Sequence, residues 1–215
     1  MKKIKTRHWL QATSWLVKVI GVTLSTLMIQ AGQAQGFEEG RHYTQLKQSS
    51  AIVNKQESGV VEYFSFSCAG CFAFEPSIMR LKADLPSLNF RRVHMPYGGR
   101  QAKFSQKAYA LMVLLKAENH KDRIFNRLHL ESNVFDSDTE IINFFESLGY
   151  KRELLEGHLN SFSADTMIRK MNKEAVKMQI KSVPSIIVNG RYQINIRAIS
   201  DAKQFSNLVA YLNTL

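Results

Sequence analysis

The sequence predicts an α/β fold, a mixed sheet with helices packed on it and a block of helices inserted into it. Three observations carry this. A Cys-x-x-Cys helix lies between two β-rich segments early in the chain, residues 103–181 read as helix, and strand character returns only near 185–194 before a last helix. The order strand, helix, strand, helical block, hairpin, helix is a βαβ…ββα unit with an insertion. The boundaries expected are a leader at 1–34, one domain made of 35–96 and 182–215, and an inserted helical domain at 97–181.

The start of the chain has the layout of a secretory signal peptide: Lys2, Lys3, Lys5 and Arg7, then an apolar run at 19–29, then Gly32 and Ala34 as a small-residue cleavage site. An uncleaved anchor is the competing reading. The run falls short of the ~20 residues a spanning helix needs, and Lys18 blocks its extension upstream. The leader holds five of the 29 basic residues and no acidic one, so the mature chain has 24 basic against 18 acidic residues, a net charge of +6. That mild excess suits acidic partners or an anionic surface. No dense basic block interleaved with aromatics points to nucleic acid. Export would place the two cysteines where disulfides form and persist.

The elements follow in order. Residues 35–58 are polar, with apolar hooks at Phe37 and Tyr43. The stretch GVVEYFSF at 59–66 is apolar nearly throughout and suits a central strand buried on both faces. Residues 72–85 read as helix, with Phe74, Ile78, Leu81 and Leu85 on one face and a kink expected at Pro76. LNFRRVHM at 88–95 is a second strand. In the helical block, Phe104, Ala108, Leu111 and Leu115 share a face, and Ser137 with Glu140 forms a capping box ahead of a helix that Gly149 ends. Ile168, Met171, Ala175 and Met178 form a stripe that reads as core rather than as a peptide-binding surface. Asn189-Gly190 between β-rich runs at 185–188 and 192–194 marks a hairpin. The last helix buries Phe205, Leu208, Val209 and Leu212.

Cys68 and Cys71 are the only cysteines. A multi-bridge scaffold is therefore excluded, and a zinc ribbon would need a second pair. At a helix start, the first thiol can sit where the first-turn N–H groups and the macrodipole favour a thiolate. The second lies one turn in and is more buried. Thiol–disulfide exchange needs this pairing of an accessible nucleophile, Cys68, with a resolving thiol, Cys71. A static disulfide or two inert thiols is the bland alternative, and the strand-then-helix setting argues against it. The Cys68–Cys71 disulfide is itself the redox group, so neither cofactor nor metal is expected.

Four stretches together carry a family resemblance: FEEGRHYTQL, VVEYFSFSCAGCFAFEP, RRVHMPYGG and VPSIIVNGRYQIN. The chain resembles the DsbA family of periplasmic thiol:disulfide oxidoreductases, built on the thioredoxin fold. The likeness runs over nearly all of 37–215 and is weakest in the helical insertion. It implies that Cys68 and Cys71 are the redox pair. It implies that Val183-Pro184 is a cis-proline loop facing the sulfurs, where the Val183 backbone pairs with a client strand. It puts Glu62, Glu75 and Arg92 at the family's charged positions near the buried cysteine, with Arg92 where Lys is usual. His94 matches a family histidine and reads as structural. The partners implied are unfolded or newly exported cysteine-containing proteins and a DsbB-like membrane quinone reductase, with the chain itself monomeric.

The departure from the family lies between the cysteines. Its usual dipeptide is Pro-His; here it is Ala69-Gly70. An imidazole beside the nucleophile would lower its pKa, and Gly70 offers none. Ala69 restores an N–H that proline lacks. Cys68 is therefore expected to be depressed in pKa, but less than in a Pro-His relative. The function expected is introduction of disulfides into exported proteins. A specialised oxidase with few clients, a reductase or isomerase, and a redox-inactive chaperone using the groove beside Pro184 are the alternatives.

Overall fold

The computed structural model describes residues 36–46 and 59–215. The leader expected at 1–34 lies outside the described residues. Five strands form one sheet: β1 (Tyr43–Gln45), β2 (Val60–Phe64), β3 (Phe90–His94), β4 (Ser185–Val188) and β5 (Tyr192–Ile194), in the order β1-β5-β4-β2-β3. The β2–β3 pair is parallel and the other pairs are antiparallel. The helices are α1 (Ala69–Asp84), α2 (Arg100–Leu114), α3 (Lys121–His129), α4 (Asp138–Ser147), α5 (Arg152–Leu159), α6 (Phe162–Lys177) and α7 (Ala202–Leu212). Helices α2 to α6 form the insertion between β3 and β4.

β2 is buried at every position and paired on both edges, as its unbroken apolar run predicts. Side chains alternate between the two faces of the sheet. Val60 joins Ile186, Val188, Ile78 and Leu81, under α1 and α7. Val61 and Tyr63 join Ile187, Leu111, Phe125 and Phe145, so the other face shares its core with the helical block. Met171 and Ala175 are buried there, with Ile168 and Met178 packed against them. The methionine stripe is core.

Three local details differ from the sequence reading. The apolar period marks α1 only from Phe72, whereas the helix begins at Ala69, with Cys68 at its N-cap as the thiol pairing predicts, and extends to Asp84. Tyr43–Gln45, within the segment read as polar, is an edge strand antiparallel to β5. Tyr43 is buried against Tyr192 while Thr44 and Gln45 face outward. Ser137 Oγ does accept from the Glu140 amide at 3.2 Å, but the Glu140 carboxylate pairs with Arg127 instead of closing the capping box.

The Asn189-Gly190 hairpin forms as expected. Both residues have positive φ, 50° and 59°, the backbone that a tight hairpin turn with matching twist requires. The Asn189 carboxamide accepts from the Gly59 amide at 2.9 Å and so ties the turn to the start of β2.

Candidate active site

The site sits where β2 runs into α1. The strand ends at Phe64, and a turn closed by the Cys68 amide donating to Ser65 O at 3.1 Å delivers Cys68 to the helix N-cap. There its backbone is extended (φ −96°, ψ 112°), and Sγ accepts from the Cys71 amide at 3.2 Å. Both cysteines are reduced. Cys68 keeps 9% of its surface exposed and Cys71 none, which makes Cys68 the thiol a partner can reach.

The two sulfurs have opposite electrostatics. The Cys68 thiol is lowered to about 6, first by its hydrogen bond with the Cys71 thiol, then by the amides of Cys71 and Gly70, against the cost of burial. Cys71 is pushed up, by the same thiol pairing and by burial, with the Glu62 charge adding to it. The amides that serve Cys68 belong to the second and third helical residues, which are the ones a cap side chain reaches. Ala69 is the first helical residue, so the N–H it gains over proline does not compensate for the missing imidazole.

Across from the sulfur lies the loop before β4. The Val183-Pro184 peptide is cis, and Cys68 Sγ donates to Val183 O at 3.6 Å. A Cβ built on Gly70 would lie 3.5 Å from Pro184 Cδ and 3.7 Å from Cys68 Sγ, in ordinary contact with both. A groove of about 610 Å³ opens beside this loop, with Tyr97, Val183, Pro184, Gln193 and Arg197 in its wall.

Beneath α1 the charged residues converge. Arg92 Nε donates to Glu62 at 2.6 Å and its terminal nitrogen to Glu75 at 2.6 Å. Lys121 closes on the other Glu75 oxygen. Glu62 and Glu75 are buried and the Arg92 side chain is only 8% exposed, and one guanidinium spans two carboxylates, a reach a lysine ammonium does not have. Glu62 is raised to about 7, chiefly by burial, with Arg92 opposing. Among the described residues, its Oε1 has no hydrogen-bond partner. His94 lies in the core, where burial lowers it to about 3. Its Nε2 accepts from the Phe66 amide at 3.0 Å.

Several residues around the site were not singled out from sequence. Ser65 Oγ donates to Tyr97 O at 3.0 Å, and Ser67 Oγ pairs with Ser105 Oγ at 2.7 Å. Gly98, at φ 111°, lets the loop after β3 press against Ser67, where an added Cβ would come within 3.3 Å of Ser67 Cβ. His129 Nε2 lies 2.8 Å from Phe66 O. The serines of FSFSC were the available signal. His129 carried none, because only the folded insertion brings it to the motif.

The DSBA-like thioredoxin domain model matches residues 59–213. The chain belongs to this family. Among curated DsbA proteins, the thiol:disulfide interchange protein of Haemophilus influenzae is 30% identical over 181 residues, 82% of this chain and 85% of its own. The DsbA structure from Pseudomonas aeruginosa is 26% identical with a TM-score of 0.71, covering 84% of this chain and 95% of that one. A Proteus mirabilis DsbA solved with a non-covalently bound peptide, PWATCDS, has the same fold, at 24% identity and a TM-score of 0.74, covering 84% of this chain and all of that one. The DsbA fold is thus a thioredoxin-like sheet carrying a helical insertion, as the element order here predicts.

Proposed function

We propose that this protein is a periplasmic dithiol oxidase that donates the Cys68–Cys71 disulfide to newly exported, cysteine-containing chains. The observation that carries this is Cys68 at the helix N-cap, with its thiol held low by donors that Cys71 and Gly70 supply. A reduced form stabilised as thiolate makes the disulfide easier to reduce, hence more oxidising. Membership of a family whose curated relatives are named thiol:disulfide interchange proteins supports the same reading.

In the reaction a client thiolate attacks Cys68 Sγ, the Cys68–Cys71 bond breaks, and a mixed disulfide forms. Cys71 leaves with the bonding electrons and takes a proton. Glu62, a buried carboxyl at about 7 whose charge acts on Cys71, is the group suited to supply it. The client's second thiolate then attacks its own half of the mixed disulfide and releases Cys68 as thiolate. Two electrons have passed from client to protein. The Val183 backbone, on the cis-proline loop, aligns the client strand. A quinone-linked membrane partner of the DsbB kind reoxidises the pair, and the chain works as a monomer after its leader is cleaved. No helix among the described residues is long and apolar enough to cross a membrane.

The test is to mix the oxidised protein with a reduced, unfolded client that holds two cysteines. One client disulfide should appear for each dithiol formed, and Cys68→Ala should abolish it. Trapping thiols in cells with an acid quench distinguishes the alternatives: an oxidase is found mostly as disulfide, a reductase mostly as dithiol. A mainly reduced pair in vivo would replace the oxidase reading.

A further inference from the structure

Phe66 lies two residues before Cys68 and is fully buried. It is the second residue of the turn that the Cys68 amide closes on Ser65 O. Both of its backbone groups end on imidazoles. Its N–H goes to His94 Nε2 at 3.0 Å, and its carbonyl meets His129 Nε2 at 2.8 Å. Since a carbonyl only accepts, His129 Nε2 is the donor and carries the proton. The same ring stacks on Phe72, the residue after Cys71, with centroids 5.0 Å apart and planes within 7°. Phe125, one turn earlier on α3, packs on the Phe66 ring at 4.9 Å and on Phe72 at 5.8 Å.

We propose that His129, at the end of α3 in the helical insertion, is a positioning residue for Cys68: it grips the Cys-x-x-Cys segment before the motif by a hydrogen bond and after it by a ring stack. The physical reason is the burial of Phe66. Its carbonyl has no water to turn to, so without His129 it stays unsatisfied or the turn rotates to find a donor. Either outcome acts on the sulfur. Rotation moves Cys68 off the amide of Cys71, and an unsatisfied carbonyl loosens the turn that delivers Cys68 to that amide. Both disfavour the thiolate. The insertion thereby takes part in setting the reactivity of a thiol that belongs to the sheet domain.

The proposal rests on Cys68 being the reacting thiol, and its test reads that thiol without any client. The Cys68 thiolate is titrated by absorbance in wild type, His129→Gln and His129→Phe. Gln keeps a donor at the Nε2 position, and Phe keeps the stack without the donor. His129→Phe should raise the Cys68 pKa by roughly half a unit and lower the reduction potential, the expected effect of a lost hydrogen bond on a thiolate; His129→Gln should stay near wild type. Equal values in all three proteins, or equal shifts in both variants, would overturn the proposal. Should His129→Phe not fold, nitrogen NMR of the wild-type ring in its neutral form decides the matter. The Nε2–H tautomer is required, and the Nδ1–H tautomer refutes it. Failure to oxidise a client, with His129→Phe shifted and His129→Gln near wild type, would count against the redox function and leave the role of His129 standing.

Discussion

Gly70 is the residue that separates this site from a Pro-His one, and the structure makes the separation testable. A Cβ at Gly70 meets only ordinary contacts, to Pro184 and Cys68 Sγ. A side chain therefore starts there without a clash, 3.7 Å from the sulfur at its first carbon. Gly70→His should therefore move the Cys68 thiol below its present value of about 6 and raise the reduction potential. Unchanged pKa and potential would mean that the helix terminus alone sets the thiolate. Glu62 gives a second prediction at this scale. Its folded value of about 7 lies above the ordinary carboxyl value of 4.5, so between these pH values the folded state holds more protons than the unfolded one. Stability then falls as pH rises through that window, by at most about 3 kcal/mol from this group. Glu62→Gln should flatten the slope in denaturant titrations, with its largest gain over wild type above pH 7. A slope as steep as before would show that Glu62 is not the group that titrates. The redox pair, the cis-proline and the three charged residues were all legible as residues. Their arrangement was not: that Arg92 bridges two carboxylates, and that Ala69's amide is idle, depends on side-chain reach and helix register, which residue identity does not encode.

Elements were legible in proportion to their length and apolar period. β2, the hairpin and α7 followed directly from unbroken or periodic patterns. β1 did not, since three residues with one inward side chain, Tyr43, give no alternation to detect. The apolar period of α1 starts three residues late because Ala69-Gly70 carry no apolar signal; the chemistry of the thiol pair is what places Cys68 at the N-cap. The hairpin supports an element-scale prediction. Asn189 holds a positive φ of 50° and its carboxamide accepts from Gly59 at 2.9 Å. Asn189→Ala loses that bond and places a less tolerant residue in the left-handed region, for a cost of about 1–3 kcal/mol. Chemical denaturation should show a lower midpoint with an unchanged slope. A midpoint equal to wild type would mean that the turn is held by its backbone alone.

At the scale of the whole molecule, the insertion is not an ornament on a finished sheet. One face of the sheet has its core completed by the helical block, through residues such as Phe125 and Phe145, and the other is closed by α1 and α7. The α/β class and the insertion between β3 and β4 were legible because strand and helix periods change sharply along the chain. What the insertion contributes to the site was not, because Lys121 and His129 reach Glu75 and Phe66 only across long sequence separations. This architecture makes one thiol reactive and the other inert. The most direct measurement is alkylation of the reduced protein with iodoacetamide across pH, with the modified site read by mass spectrometry. Cys68 should be modified with a midpoint near pH 6, and Cys71 not at all while the protein stays folded. Modification of Cys71 first, or a Cys68 midpoint at the ordinary thiol value of 9.0, would contradict it.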